Sequence, residues 1–217
     1  MGDGPPWERR QELGFVPALV ETTRQVMAAP AAFFASMPTR AGLGAPLLYG
    51  GVIGSLALVL MIATMLGLGA LIQWVAPSSG SASATASAPG ALLALLFWTL
   101  ATPVGMVIIL FLEAGLTHLL LMMLSGAREP FEATFRVSCY ARGVTLLMAV
   151  PLVGWVVGPV WLVVVRVIGL GAAQRCGGGR AAAAVLVPPL FCCCVQLLLF
   201  VAVFGFAALA ALAAASH

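Results

Sequence analysis

The chain has 217 residues, 62% of them apolar and 8% charged, with a mean hydropathy of +1.12. A soluble domain carries about 25% charged side chains, so a soluble enzyme, a disordered chain and a nucleic-acid binder are excluded, and a membrane protein remains. The net charge is +3 and all ten cations are arginine; residues 41–112 carry no charge, far beyond the roughly 20 apolar residues that one crossing needs.

In chain order, the first twelve residues are polar and rich in Pro and Gly, which fits neither a cleaved signal peptide nor a myristoylation site. Residues 14–37 read as an amphipathic helical segment lying on the membrane. Phe15, Leu19, Val26, Phe33 and Phe34 offer apolar contact, while Glu21, Arg24 and Gln25 need water. Pro17 and Pro30 break this segment, and Pro38 with Gly42 and Gly44 ends it. Residues 1–45 are thus expected to form a cytoplasmic tail with an interfacial helix, and 46–214 a transmembrane domain.

The first span is expected over 47–75, with Trp74 as an interfacial anchor. A Ser/Ala-rich loop follows over 76–90, then a second span over 91–124. Residues 125–129 form a turn, and Pro130 opens a new helix. Beyond it the reading forks. Residues 143–165 could make one span, four in total, or Pro151, Gly154, Gly158 and Pro159 could mark a turn between spans at 131–150 and 154–174. A last span runs over 182–212.

Arginine placement decides, because cytoplasmic loops are enriched in basic residues. With five spans and a cytoplasmic N-terminus, Arg9, Arg10, Arg24, Arg40, Arg128, Arg175 and Arg180 all lie inside, and His217 lies outside. With four, Arg166, Arg175 and Arg180 would face out. The expected fold is therefore all-α: five transmembrane helices preceded by an interfacial helix.

Several segments carry a family resemblance: PWERR at 6–10, LGF at 13–15, APAAFFASMP at 29–38, GLGAPLLYG at 42–50 and FEATFRVSCYA at 131–141. Together they resemble bacterial members of the Yip (Ypt/Rab-interacting protein) family of multi-pass membrane proteins. That resemblance runs from Trp7 to about Arg180 and implies five spans, a cytoplasmic N-terminus and no catalytic activity. Eukaryotic members associate with Rab GTPases, but the Asp-Leu-Tyr-Gly-Pro signature is missing here, so Rab binding does not carry over. The expected location is the bacterial inner membrane, with the C-terminus outside.

Glu113 and Arg166 lie inside the second and fourth spans, and a charge at the bilayer centre costs about 2.5–3.5 kcal/mol even on a permissive scale. At about 1.5 Å per residue they lie roughly 16 and 12 Å from the inner ends of their helices, so they are expected to pair. Arg142 and His118 extend this intramembrane polar seam. Glu132, Arg136 and Tyr140 read as a cytoplasmic interface. Arg136 is explained locally by Glu132 four residues earlier, on the same helix face. Arg136 and Arg142 also suit anionic head groups.

Gly50 with Gly54, and Gly154 with Gly158, have spacings that let backbones approach closely, within the chain or across a dimer. Cys139, Cys176, Cys192, Cys193 and Cys194 read as small buried residues, not a metal site. No nucleophile arrangement, cofactor or metal site is expected. The leading expectation is a non-enzymatic scaffold in contact with membrane lipids, and with a second copy or another membrane protein. The rival is a proton or small-solute transporter using the Glu113, His118, Arg142 and Arg166 seam, and a third reading, an intramembrane lipid-handling protein, needs a groove open laterally to lipid.

Overall fold

The computed structural model describes residues 4–75 and 88–215, and every regular element among them is helical. A 3-10 turn (Pro6–Arg9) leads into three short helices, α1 (Arg10–Leu13), α2 (Phe15–Ala28) and α3 (Pro30–Ser36). Gly14 divides α1 from α2 at φ +88°, a backbone conformation that side chains disfavour. Two long helices follow, α4 (Gly44–Val75) and α5 (Ala88–Met123). Next comes α6 (Phe131–Ala141), which runs directly into a 3-10 segment, Arg142–Ala149. The chain ends with α7 (Val153–Ala173) and α8 (Gly178–Ala215). The loop expected over 76–90 lies outside the described residues except for its last three positions, which belong to α5; His217 also lies outside them.

Among the described residues, four helical stretches are long and apolar enough to cross a membrane: Gly44–Val75, Leu100–Met123, Val153–Ala173 and Gly178–Ala202. Residues 131–149 are helical but differ from the continuous apolar span expected there. α6 carries Glu132, Thr134, Arg136 and Ser138, buries nine of its 11 residues in protein, and gives way to eight residues of 3-10 helix. At about 1.5 and about 2.0 Å per residue the run measures about 32 Å, close to the roughly 31 Å of the 21-residue α7.

The two pack as a hairpin. Beyond the end of α7, the Gln174 Oε1 accepts from the Arg128 and Glu129 N–H groups at 2.9 and 2.8 Å, holding the entry to α6. The opposite ends meet in a tight turn at Leu152 (φ +62°), where the Val153 N–H donates to the Pro151 carbonyl at 2.7 Å. Gly154 lies so close to Leu147 that a Cβ would overlap its carbonyl. The small-residue spacings are thus used inside the chain: Gly154 and Gly158 face Leu147 and Met148, and Gly50 and Gly54 face Cys139 and Met106.

Buried residues gather toward one end of the long helices. α4 buries Pro46, Tyr49, Gly50, Ile53, Gly54 and Ala57 but nothing beyond, and α8 buries Ala181, Ala184 and Val185. Farther along, Leu66, Ile72, Leu198 and Phe200 are exposed, as suits a helix surrounded by lipid. The 32 residues of α4 extend about 48 Å, more than the roughly 30 Å hydrocarbon core, a mismatch that tilting reduces.

The N-terminal segment is part of the packed end and not a loose tail. Trp7 is fully buried. Its backbone N–H donates to Thr22 Oγ1 at 2.8 Å, its Nε1 donates to the Ala45 carbonyl at 2.7 Å, and its ring meets Phe15 and Tyr49 edge-on. Phe33 and Phe34, expected to face lipid, are 4% and 1% exposed. The reason is local: Gly169 leaves a notch in α7 that the Phe34 ring fills, and Phe33 stacks edge-on against Tyr140. Leu19 is half-buried against the core, whereas Phe15 remains half-exposed beside Leu13, Val16 and Val20. On the exposed side, hydrogen bonds from Arg24 hold the Glu21 carboxyl below its ordinary range.

Candidate functional site

Among the described residues, the polar side chains inside the bundle include two ion clusters and a neutral chain. The first cluster joins three elements. Glu113 of α5 is held by Arg142, the first residue of the 3-10 segment, through one carboxylate oxygen, and by Arg166 of α7 through the other. Arg166 also donates to Thr117 Oγ1 at 3.2 Å, one helical turn from Glu113 on the same face of α5. The Thr145 hydroxyl donates to the Arg142 carbonyl at 2.7 Å, steadying the point where α6 changes pitch.

His118 lies apart from this cluster. Its Nδ1 is 2.9 Å from Thr134 Oγ1 and its ring meets Phe131 edge-on. Thr134 accepts in turn from Gln174 Nε2 at 2.9 Å, so its own proton is available to His118 Nδ1. This neutral chain links α5, α6 and the end of α7.

The second ion cluster ties the N-terminal segment to α6. Arg136 pairs with Glu8 and donates to the Gly42 carbonyl at 3.0 Å, while the Tyr140 hydroxyl donates to the same Glu8 carboxylate at 2.7 Å. Glu132, expected to partner Arg136, instead accepts from the backbone N–H groups of Ala41 (2.6 Å) and Gly42. Both Arg136 and Tyr140 are fully buried, so they form no cytoplasmic docking face. The reading missed Glu8 because 128 residues separate it from Arg136 and a local partner was on offer. The PWERR motif was its only sequence signal.

Two cavities adjoin the first cluster. One, of about 400 Å³, lies where α5 and α8 meet α7, with Glu113, Arg142 and Arg166 in its wall beside Leu112 and Pro188. The other, of about 240 Å³, is lined by α4, α5 and the 3-10 segment, including Gly54, Met106, Arg142 and Thr145. The Nε donors of Arg136 and Arg166 are enclosed and lack a hydrogen-bond partner. Among the described residues, no group of three His, Cys, Asp or Glu side chains gathers to hold a metal. Cys139 and Cys176 are buried; Cys192, Cys193 and Cys194, expected to be buried, are exposed on α8, where few neighbours cover the helix. Burial also pushes the Cys176 thiol above its ordinary range.

Chemically, a carboxylate held at both oxygens by guanidinium groups is a strong tie between the elements that carry them. Compared with curated proteins and with solved structures, the chain matches none. Compared with known families, it matches the Yip1 domain over residues 24–201, more than four fifths of its length. With apolar membrane-length helices and that match together, the chain belongs to the Yip1 domain family of integral membrane proteins.

Proposed function

We propose that the chain is a non-catalytic scaffold of the bacterial inner membrane that crosses it five times, with its N-terminus cytoplasmic and its C-terminus outside. The hairpin of residues 131–149 with α7 supports the count, because the two partners match in length and are joined end to end. The arginines support the orientation: Arg40 approaches Glu129 at 3.8 Å and Arg180 donates to the Ser125 carbonyl at 3.2 Å, where α5 ends and α8 begins. A single basic end of the bundle suits the cytoplasmic side.

The observation that carries the scaffold reading is the double engagement of Glu113, the only acid between Glu21 and Glu129. Its two ion pairs fix α5, the 3-10 segment and α7 relative to one another, and the buried Trp7 together with the Glu8–Arg136 pair fixes the N-terminal segment against them. The exposed edge of α2, with Leu13, Phe15, Val16 and Val20, then lies against the head-group layer. Membrane lipid is the partner it contacts there.

Transport is the second reading, favoured by the two cavities that both reach Arg142. Proteoliposomes loaded with a pH-sensitive dye separate the two. The scaffold reading expects proton flux no greater than in empty vesicles, and flux that Glu113→Gln abolishes would replace it with transport.

A further inference from the structure

The Glu113 cluster is unbalanced in charge. No acid follows Glu132 in the chain and Glu113 is the only one between Glu21 and Glu129. Arg142 and Arg166 therefore share a single carboxylate, and two positive groups against one negative leave a net charge of +1 among apolar helices. Such a surplus calls for a counter-ion. Both guanidinium groups lie in the wall of the roughly 400 Å³ cavity between α5 and α8. Arg166 is only 8% exposed and its enclosed Nε has no hydrogen-bond partner. The rest of the wall is apolar, with Leu112, Leu116, Val185 and Pro188 among its residues. Leu112 and Cys192 lie on its rim and are exposed on helices apolar enough to face lipid.

We infer that this groove is a binding site for one anionic phospholipid. Its phosphate rests on Arg142 and Arg166 and restores neutrality, and an acyl chain follows the apolar wall between α5 and α8. Basic pockets between membrane helices take anionic head groups for this electrostatic reason. A water-soluble anion would satisfy the charge but would leave the apolar wall and its opening toward lipid unused. The inference does not need the five-span count, only that α5, α7 and α8 stand in the membrane.

The test uses the full chain, purified and delipidated in zwitterionic detergent, then offered phosphatidylglycerol and phosphatidylcholine in equal amounts. Native mass spectrometry should show one retained phosphatidylglycerol with at least about a fivefold preference. Phosphatidylglycerol should also raise Tm, while phosphatidylcholine and inorganic phosphate should not. Arg142→Gln leaves a neutral Glu113–Arg166 pair and should erase the preference. Should that variant fail to fold, Leu116→Trp fills the groove without touching a charge and should lower phosphatidylglycerol retention. Equal retention of the two lipids by the parent protein would overturn the inference. So would stabilisation by inorganic phosphate equal to that by phosphatidylglycerol, which would mark a soluble-anion site, or retention indifferent to the groove-filling variant.

Discussion

The two ion clusters differ in balance as well as place. Glu8 and Arg136 form a one-to-one pair, with Arg136 buried and bonded to the Gly42 carbonyl and Glu8 bonded to the Tyr140 hydroxyl, and they clasp the N-terminal segment to α6. Glu113, Arg142 and Arg166 form a one-to-two group that joins α5, the 3-10 segment and α7 and borders cavities on two sides. A one-to-one pair acts as a lock, because its two charges balance. A charged group beside open space holds helices together and still attracts a counter-ion.

The largest effect is expected at the lock. Arg136→Met removes the guanidinium and leaves the Glu8 carboxylate beside an apolar side chain. Loss of one partner of a fully buried pair costs about 3–5 kcal/mol, and with Glu8 partly exposed the cost here stays below that range; the expected result is still a clear fall in Tm and release of residues 4–43 to limited proteolysis. The further exchange Glu8→Gln should recover part of the loss. A single variant as stable as the parent would show that the clasp contributes nothing.

A smaller effect is expected at the neutral chain. Thr134→Val leaves His118 Nδ1 and the Gln174 amide without their shared hydroxyl, and a buried polar group left unpaired costs about 1–3 kcal/mol. Thermal unfolding should show a drop intermediate between the clasp variants and surface variants. At the surface, Arg24→Gln breaks an exposed pair with Glu21 and should leave Tm unchanged within error. A marked loss there would mean that α2 is held by its charged edge and not by Thr22, Thr23 and Val26, which it buries.

Labelling sharpens the topology. Cysteine introduced at Leu152, 71% exposed at the hairpin turn, should react with an impermeant maleimide applied outside intact cells. Silence from both sides would mean that the hairpin ends within the bilayer and that the chain crosses three times. The buried Cys176 is a poor reporter of the opposite side because its thiol is enclosed and its ionisation is disfavoured. A cysteine at the exposed Arg175 serves better.

What could be read in advance follows from how local each signal was. Glu113 and Arg166 could be matched because isolated charges in apolar helices need partners and helical rise converts sequence position into depth. Glu8 could not be matched to Arg136, since nothing in a polar, Pro-rich opening says that it folds back beneath a helix 128 residues away. Phe33 and Phe34 look like lipid contacts until Gly169 and Tyr140 are seen beside them. The change to 3-10 pitch at Arg142 has no pattern signal at all, because eight residues of mixed polarity fit either helix.

One carboxylate serves two arginines where α5, the 3-10 segment and α7 meet. Tm of Glu113→Gln and Arg142→Gln, compared side by side in zwitterionic detergent without anionic lipid, tests it most directly. Removing Glu113 leaves two facing cations and removing Arg142 leaves a neutral pair, so the loss for Glu113→Gln should be several times the loss for Arg142→Gln. Equal losses, or a larger one for Arg142→Gln, would contradict the shared carboxylate.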